Sequence, residues 1–197
     1  MMIALCALLP ILGGALSAVI RFSGDRARNI YIGCVTALTS VCTLLCVCLN
    51  PGERLRLFSL GDGFDCVLEP DGLSRVFIAL LACLWPLASL YAFEYMEHEE
   101  RTGNFFVFYT IAYGISLLFA SARNLFTLYV FYECLTVCTL PLVEHGQNKE
   151  SYRAGRMYLM YLIGGTSLGF AALILTGSLT GGDTAFTSDG KIGRAHV

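Results

Sequence analysis

The stretch Asn124-Leu-Phe-Thr-Leu-Tyr-Val-Phe-Tyr-Glu133-Cys-Leu-Thr-Val-Cys-Thr-Leu-Pro141 contains a single charged side chain, that of Glu133. A helix of this length crosses most of the hydrocarbon core of a bilayer, which is roughly 30 Å thick. Counted from Asn124, Glu133 is about 13 Å into the helix. The stretch therefore predicts a membrane-spanning helix with one carboxyl group near the middle of the membrane.

Similar apolar runs recur along the rest of the chain. The six predicted spans cover residues 2–20, 30–49, 73–92, 105–120, 125–143 and 157–176. Of the 197 residues, 56% are hydrophobic and 14% are charged, whereas about a quarter of the residues of a soluble protein are charged. The predicted fold class is all-α: a polytopic transmembrane bundle of about six helices, with the lipid bilayer as its surroundings.

A polar connection separates the second span from the third. Within it, apolar residues alternate on both sides of Gly61-Asp62-Gly63: Leu55 and Leu57 before it, and Phe64, Cys66 and Leu68 after it. A period of two around a glycine-rich turn predicts a small β-hairpin outside the bilayer.

The cationic residues predict the orientation, because Lys and Arg in short loops prefer the cytoplasm. The first, third and fifth connections carry seven: Arg21, Arg26, Arg28, Arg101, Lys149, Arg153 and Arg156. The other connections carry four: Arg54, Arg56, Arg75 and Arg123. We therefore expect a protein of the inner (cytoplasmic) membrane with its N-terminus outside and with loops 21–29, 93–103 and 144–156 in the cytoplasm.

Several kinds of site are not expected. A net charge of -2 without a basic cluster argues against a nucleic-acid partner. Phosphate-binding loops, paired hydrolytic carboxylates and Ser/Cys-His arrangements do not stand out, so no cofactor or redox centre is predicted. Eight of the nine cysteines lie in apolar runs, where thiols act as small hydrophobic groups, and no metal site is predicted. Cys66, in the hairpin, has no identifiable partner.

Glu133 is the first candidate for chemistry. An acid at the bilayer centre costs a few kcal/mol, so such residues face protein or water and mark ion pathways. Its alternative role is to join helices as a protonated group held by a hydroxyl or carbonyl. Glu144 lies three helical turns further on nearly the same face, and together with His145 it is a candidate entry point for protons. The alternative there is an ordinary solvated pair at the membrane surface.

Four motifs together resemble one family of membrane proteins. They are Asp71-Gly-Leu-Ser74, Tyr95-Met96, Asn124-Leu-Phe-Thr-x-Tyr-x-Phe-Tyr-Glu133 and Arg153-Ala-Gly-Arg-x-Tyr158-Leu. The chain is similar to the antiporter-like subunits, which include the large proton-pumping membrane subunits of respiratory complex I, membrane-bound hydrogenases and Mrp-type cation/proton antiporters. The resemblance covers about residues 1–180 and is strongest over 104–175.

The resemblance implies a proton- or sodium-translocating subunit of an NADH-quinone oxidoreductase-like complex, a hydrogenase or an Mrp antiporter. In this family an acid in the fifth helix works with a lysine in the seventh, and a second, inverted set of helices follows. Glu133 matches that acid, whereas the lysine and the second set are missing. The expected partners are other membrane subunits of such a complex and protons or sodium ions.

Two other functions compete with this one. A structural scaffold subunit would have no ion path of its own, which Glu133 argues against. An independent solute carrier would need more polar lining.

The end of the chain departs from the membrane pattern. Residues 181–197 form a polar tail, and Lys191-Ile-Gly-Arg-Ala-His-Val197 resembles the translation of a common DNA-sequencing adapter. We expect an artefact at 191–197 and, before it, the N-terminal part of a longer protein; the alternative is an ordinary exposed tail.

Overall fold

The computed structural model describes residues 2–49, 54–61, 64–98, 102–144 and 149–186. In chain order the elements are α1 (Met2–Val19), α2 (Asp25–Leu49), β1 (Leu55–Ser59), β2 (Asp65–Leu68), α3 (Gly72–Tyr95), α4 (Thr102–Ala120), α5 (Leu125–Val143) and α6 (Lys149–Leu179). All six helices are long and apolar enough to cross a membrane. The predicted six-helix transmembrane bundle is confirmed.

Two helices extend well beyond the apolar runs that predict them. α2 begins at Asp25 rather than at residue 30, and α6 begins at Lys149 rather than at residue 157. Charged residues can continue a helix past the hydrocarbon boundary, because all its backbone hydrogen bonds are internal. Arg28 is therefore a helical residue, and its guanidinium donates to Asp25 at 2.7 Å and lies 5.1 Å from the centre of the Phe106 ring.

The predicted hairpin is present. β1 and β2 pair antiparallel, with Leu55 opposite Leu68 and Ser59 opposite Asp65; the turn residues 62–63 lie outside the described part of the chain. Cys66, Val67 and Leu68 are all buried. The alternation predicted for β2 therefore does not appear in its burial: Cys66 and Leu68 join the hydrophobic core, and the buried Val67 donates its N–H to α5.

The core of the bundle surrounds α4. Tyr113 is fully buried, and its ring stacks on that of Trp85 with 5.0 Å between ring centres. Its hydroxyl group shares a hydrogen bond of 2.8 Å with that of Ser40 on α2. One aromatic residue thus joins three helices, and its polar atom is satisfied, as burial in an apolar core requires.

The contact between α1 and α4 depends on glycines. A Cβ atom added at Gly14 would lie 2.8 Å from Cγ1 of Ile111 and 2.9 Å from the carbonyl oxygen of Val107. One added at Gly114 would overlap the carbonyl oxygen of Ala7. This is the close packing that small residues permit between membrane helices.

α6 is packed much more loosely. Its main helix contact within the described residues is with α5. Large apolar side chains on its other faces are exposed, among them Met160, Tyr161 and Leu168. In a bilayer such faces contact lipid or further protein.

Candidate functional site

The start of α5 is held by the hairpin. Asn124 caps the helix, because its Oδ1 accepts the N–H of Thr127 at 2.7 Å, while its Nδ2 donates to the carbonyl oxygen of Asp65 at 2.7 Å. The Oγ1 of Thr127 accepts the N–H of Val67 at 2.8 Å. Each such hydrogen bond contributes about 1 kcal/mol. The helix that carries Glu133 is thus tied to β2 at its first turn.

Glu133 is the ninth of the nineteen residues of α5, about 12 Å from Leu125. The residue is partly buried, and its Oε1 is buried without a hydrogen-bond partner among the residues that the structure describes. The hydroxyl group of Tyr129, one turn earlier on the same face, interacts with this carboxyl group. A buried unpaired oxygen costs about 1–3 kcal/mol.

Three contacts define the register of α5 against α6. The ring of Tyr129 lies 5.6 Å from that of Phe170, measured between centres, and the hydroxyl of Thr139 bonds to that of Tyr158 at 3.0 Å. The side chain of Glu144 contacts Gly155. The two helices are antiparallel, so these pairs place Glu133 level with Gly164 and Gly165.

At the level of Glu133, α6 carries two exposed glycines. Gly165 shares a face of α6 with Gly169, and a Cβ atom added at Gly169 would lie 3.9 Å from the Tyr129 ring. A Cβ atom added at Gly164 or Gly165 would have no heavy atom within 4 Å. Both glycines are exposed, whereas Thr166 beside them is buried.

Glu144 ends α5 and is partly buried. Its side chain fills the notch beside Gly155, where an added Cβ atom would lie 2.5 Å from Oε1 and 2.6 Å from Cγ. Glu144 follows Glu133 by eleven residues, about 16 Å along the helix, so the two carboxyl groups are not in contact. His145, predicted to accompany Glu144, lies outside the described residues.

Hydroxyl groups that the sequence analysis did not select lie between the two acids. Thr136 donates to the carbonyl oxygen of Glu133 at 2.7 Å, and Thr139 donates to that of Thr136 at 3.0 Å. The bond between Thr139 and Tyr158 extends this set to α6. We call Tyr129, Glu133, Thr136, Thr139, Tyr158 and Glu144 the α5–α6 polar row. A hydroxyl group both donates and accepts, and within this row the hydroxyls of Thr139 and Tyr158 are bonded directly to each other.

Candidate metal ligands do not gather in the described part of the chain: groups of three or more His, Cys, Asp or Glu side chains with suitable geometry are absent there. The chemistry of the site is therefore that of one carboxyl group at mid-helix, the neighbouring hydroxyls and a second carboxyl group at the helix end.

By its fold and site, the chain is a multi-pass membrane protein with an acidic residue at the centre of its fifth helix. No protein-family model matches the chain. The chain is 31% identical over 122 residues to Na(+)/H(+) antiporter subunit A1 of Staphylococcus haemolyticus (strain JCSC1435). The match covers 60% of this chain and 15% of the relative, so the chain spans only a small part of the relative's length.

Solved structures share the fold. The Mrp complex from Dietzia sp. DQ12-45-1b matches 94% of this chain with a TM-score of 0.79 and 16% identity, over 20% of its own chain. Respiratory complex I from Thermus thermophilus matches 94% of this chain with a TM-score of 0.76 and 24% identity, over 38% of its own chain. The resemblance to antiporter-like membrane subunits is confirmed, in sequence by the relative and in fold by the two structures.

Proposed function

We propose that this chain is the N-terminal part of a subunit that moves protons or sodium ions across the membrane, with Glu133 as its intramembrane proton site. The observation that carries the proposal is the buried Oε1 of Glu133 at the midpoint of α5, which has no hydrogen-bond partner among the described residues. The name of the relative, a Na(+)/H(+) antiporter subunit, agrees with it.

In this proposal each member of the α5–α6 polar row has a role. Glu144, with the adjacent His145, takes up a proton at the membrane surface. Tyr158 and Thr139 pass it inward, and Glu133 holds it at mid-membrane. Water bridges those steps that exceed the length of a hydrogen bond. Tyr129 donates to the carboxylate of Glu133 after the proton has left.

The nature of the site favours a proton over a sodium ion as the species held at Glu133. Metal cations that prefer oxygen ligands take several of them at once. The described residues around Glu133 offer one unpartnered carboxyl oxygen, and no three His, Cys, Asp or Glu side chains gather there as a set of ligands. A single carboxyl group with neighbouring hydroxyls is sufficient for proton exchange.

The proposal includes partners that this chain does not supply. A charged Glu133 needs a cation, and a lysine from a further helix of a longer subunit can supply it. Relatives much longer than this chain support that reading. Other membrane subunits of an Mrp, complex I-like or hydrogenase assembly would contact the exposed faces of α6. The count of cationic residues supports an N-terminus outside the inner membrane.

A second candidate function is a structural scaffold subunit. The contact between Tyr129 and Glu133 favours it, because a protonated acid beside a tyrosine hydroxyl can simply strengthen the packing of α5 against α6. In the first candidate function Glu133 releases its proton and becomes charged, whereas in the second it stays protonated.

Replacement of Glu133 by Gln separates them, since the amide keeps the shape but releases no proton. In the full-length subunit, assembled in membrane vesicles, we expect E133Q to lower ion transport by roughly 100-fold, with subunit abundance unchanged. E144Q, at the membrane surface where water can substitute, should reduce transport much less. Full transport in E133Q would refute the proposal, and loss of the assembled subunit would favour the scaffold.

A further inference from the structure

Two cysteines far apart in the sequence meet between α1 and α2. The Sγ atoms of Cys6 and Cys46 lie 3.5 Å apart, although forty residues separate them. Both residues are buried, with 7% and 6% of their surfaces exposed. A disulfide requires about 2.05 Å between the sulfur atoms, so an approach of about 1.5 Å would join them. This pair takes no part in the α5–α6 polar row.

The pair lies beside an apolar groove. A cavity of about 400 Å³ opens between the two helices, and its lining is Met2, Leu5, Cys6, Leu9, Cys42, Leu45, Cys46 and Leu49. Cys6 is four residues from the start of α1 and Cys46 three from the end of α2, so both are within about 6 Å of the same end of the bundle. A reagent that reaches them must be apolar and must come from the lipid.

We propose that Cys6 and Cys46 form a reversible disulfide that links α1 to α2, with a lipid-soluble quinone as the oxidant. Each thiol gives up one proton and one electron; two S–H bonds break and one S–S bond forms. The quinone takes both electrons and both protons and becomes a quinol. Quinones match the groove because they are apolar and dissolve in the membrane. The disulfide fixes the two helices relative to each other, and a dithiol reductant releases them.

The other cysteines supply the controls. Cys48 is on α2, two residues beyond Cys46, and it is exposed. Cys42 lines the same groove one turn earlier on α2 and is the alternative partner for Cys6. Replacement of each by Ala therefore distinguishes the pair from its neighbours.

A protease site in the loop between α1 and α2 allows the disulfide to be detected. A protease site is inserted at Gly24, where the chain is exposed and no heavy atom lies within 4 Å of an added Cβ. Membranes that hold the full-length subunit are treated anaerobically with decylubiquinone, a fully substituted quinone, and free thiols are then blocked with N-ethylmaleimide. After cleavage, a non-reducing gel shows whether α1 stays joined to the rest of the chain.

We expect α1 to remain joined after quinone treatment and to separate on addition of dithiothreitol. C48A should keep the link, and C6A and C46A should lose it entirely. Absence of the link in the wild-type chain would overturn the proposal. A link that persists in C46A would also overturn it, since Cys42 would then be the partner.

Discussion

The pair α1–α4 and the pair α5–α6 use glycine in opposite ways. Between α1 and α4, the helices are so close that no Cβ atom fits at Gly14 or Gly114. Between α5 and α6, a Cβ atom at Gly164 or Gly165 would meet nothing, and the acid of α5 lies at that level. The first pair is closely packed at its glycines, and the second is not.

The difference shows that small residues alone do not indicate which helices pack closely. Gly165-x-x-x-Gly169 has the spacing of a close helix contact, yet only Gly169 has a ring beside it, that of Tyr129. The spacing of the glycines is the same, but Gly165 is exposed and has no heavy atom within 4 Å of an added Cβ.

The largest effect should come from filling the tight pair. G114A places a methyl group against the carbonyl oxygen of Ala7, which cannot move without shifting α1. Overpacking of this kind costs about 1–3 kcal/mol. The matched control, G165A, enters open space and gains helix propensity, so the stability of that variant should stay the same or rise. Unfolding in a series of SDS concentrations measures both, and equal losses in the two variants would contradict the comparison.

An intermediate effect should come from the polar row. Y158F removes the hydroxyl that bonds to Thr139 at 3.0 Å, with a loss of stability of about 1 kcal/mol. If protons pass this point, transport in vesicles should fall severalfold although the subunit remains folded. Y161F is the control on the same helix, because Tyr161 is 77% exposed and outside the row. Equal transport in Y158F and the control would remove Tyr158 from the path.

The smallest effect concerns the start of α3, outside the membrane. The backbone N–H of Ser74 donates to Asp71, which holds the pKa of that carboxyl below its usual range. A depressed folded-state pKa contributes stability above the unfolded value of about 4, and the contribution is lost as the pH falls through the folded pKa. D71N keeps a good cap but does not titrate. Melting temperatures from pH 7 to pH 3 should therefore fall slightly less in D71N; identical pH profiles would contradict this role of Asp71.

Most of the fold can be predicted from the sequence, because the bilayer constrains the secondary structure of each segment locally. Each apolar run must be a helix, since backbone groups in lipid have to bond within their own segment. The helix ends follow a different rule. Arg28 remains in α2 because Asp25 and the ring of Phe106 on α4 accommodate its charge. No pattern near residue 28 indicates a contact with a residue 78 positions away.

The candidate site is likewise predictable from the sequence only in part. Glu133 is visible in the sequence, because an acid inside an apolar run is a local anomaly. Tyr158 joins the row only through a bond to Thr139, and Cys6 meets Cys46 only because α1 packs on α2. The expectation that the membrane cysteines are merely small hydrophobic groups rests on composition. Both pairs depend on tertiary contacts between residues distant in the sequence, which composition does not indicate.

Proton exchange at Glu133 inside the membrane can be measured directly. Infrared difference spectra of the reconstituted full-length subunit, recorded between acid and alkaline pH, detect the protonated carboxyl group. We predict a carboxyl band that changes with pH in the wild-type protein and in E144Q but is missing from E133Q. Superimposable difference spectra of E133Q and the wild-type protein would show that Glu133 does not titrate, and would contradict its proposed role as the proton site.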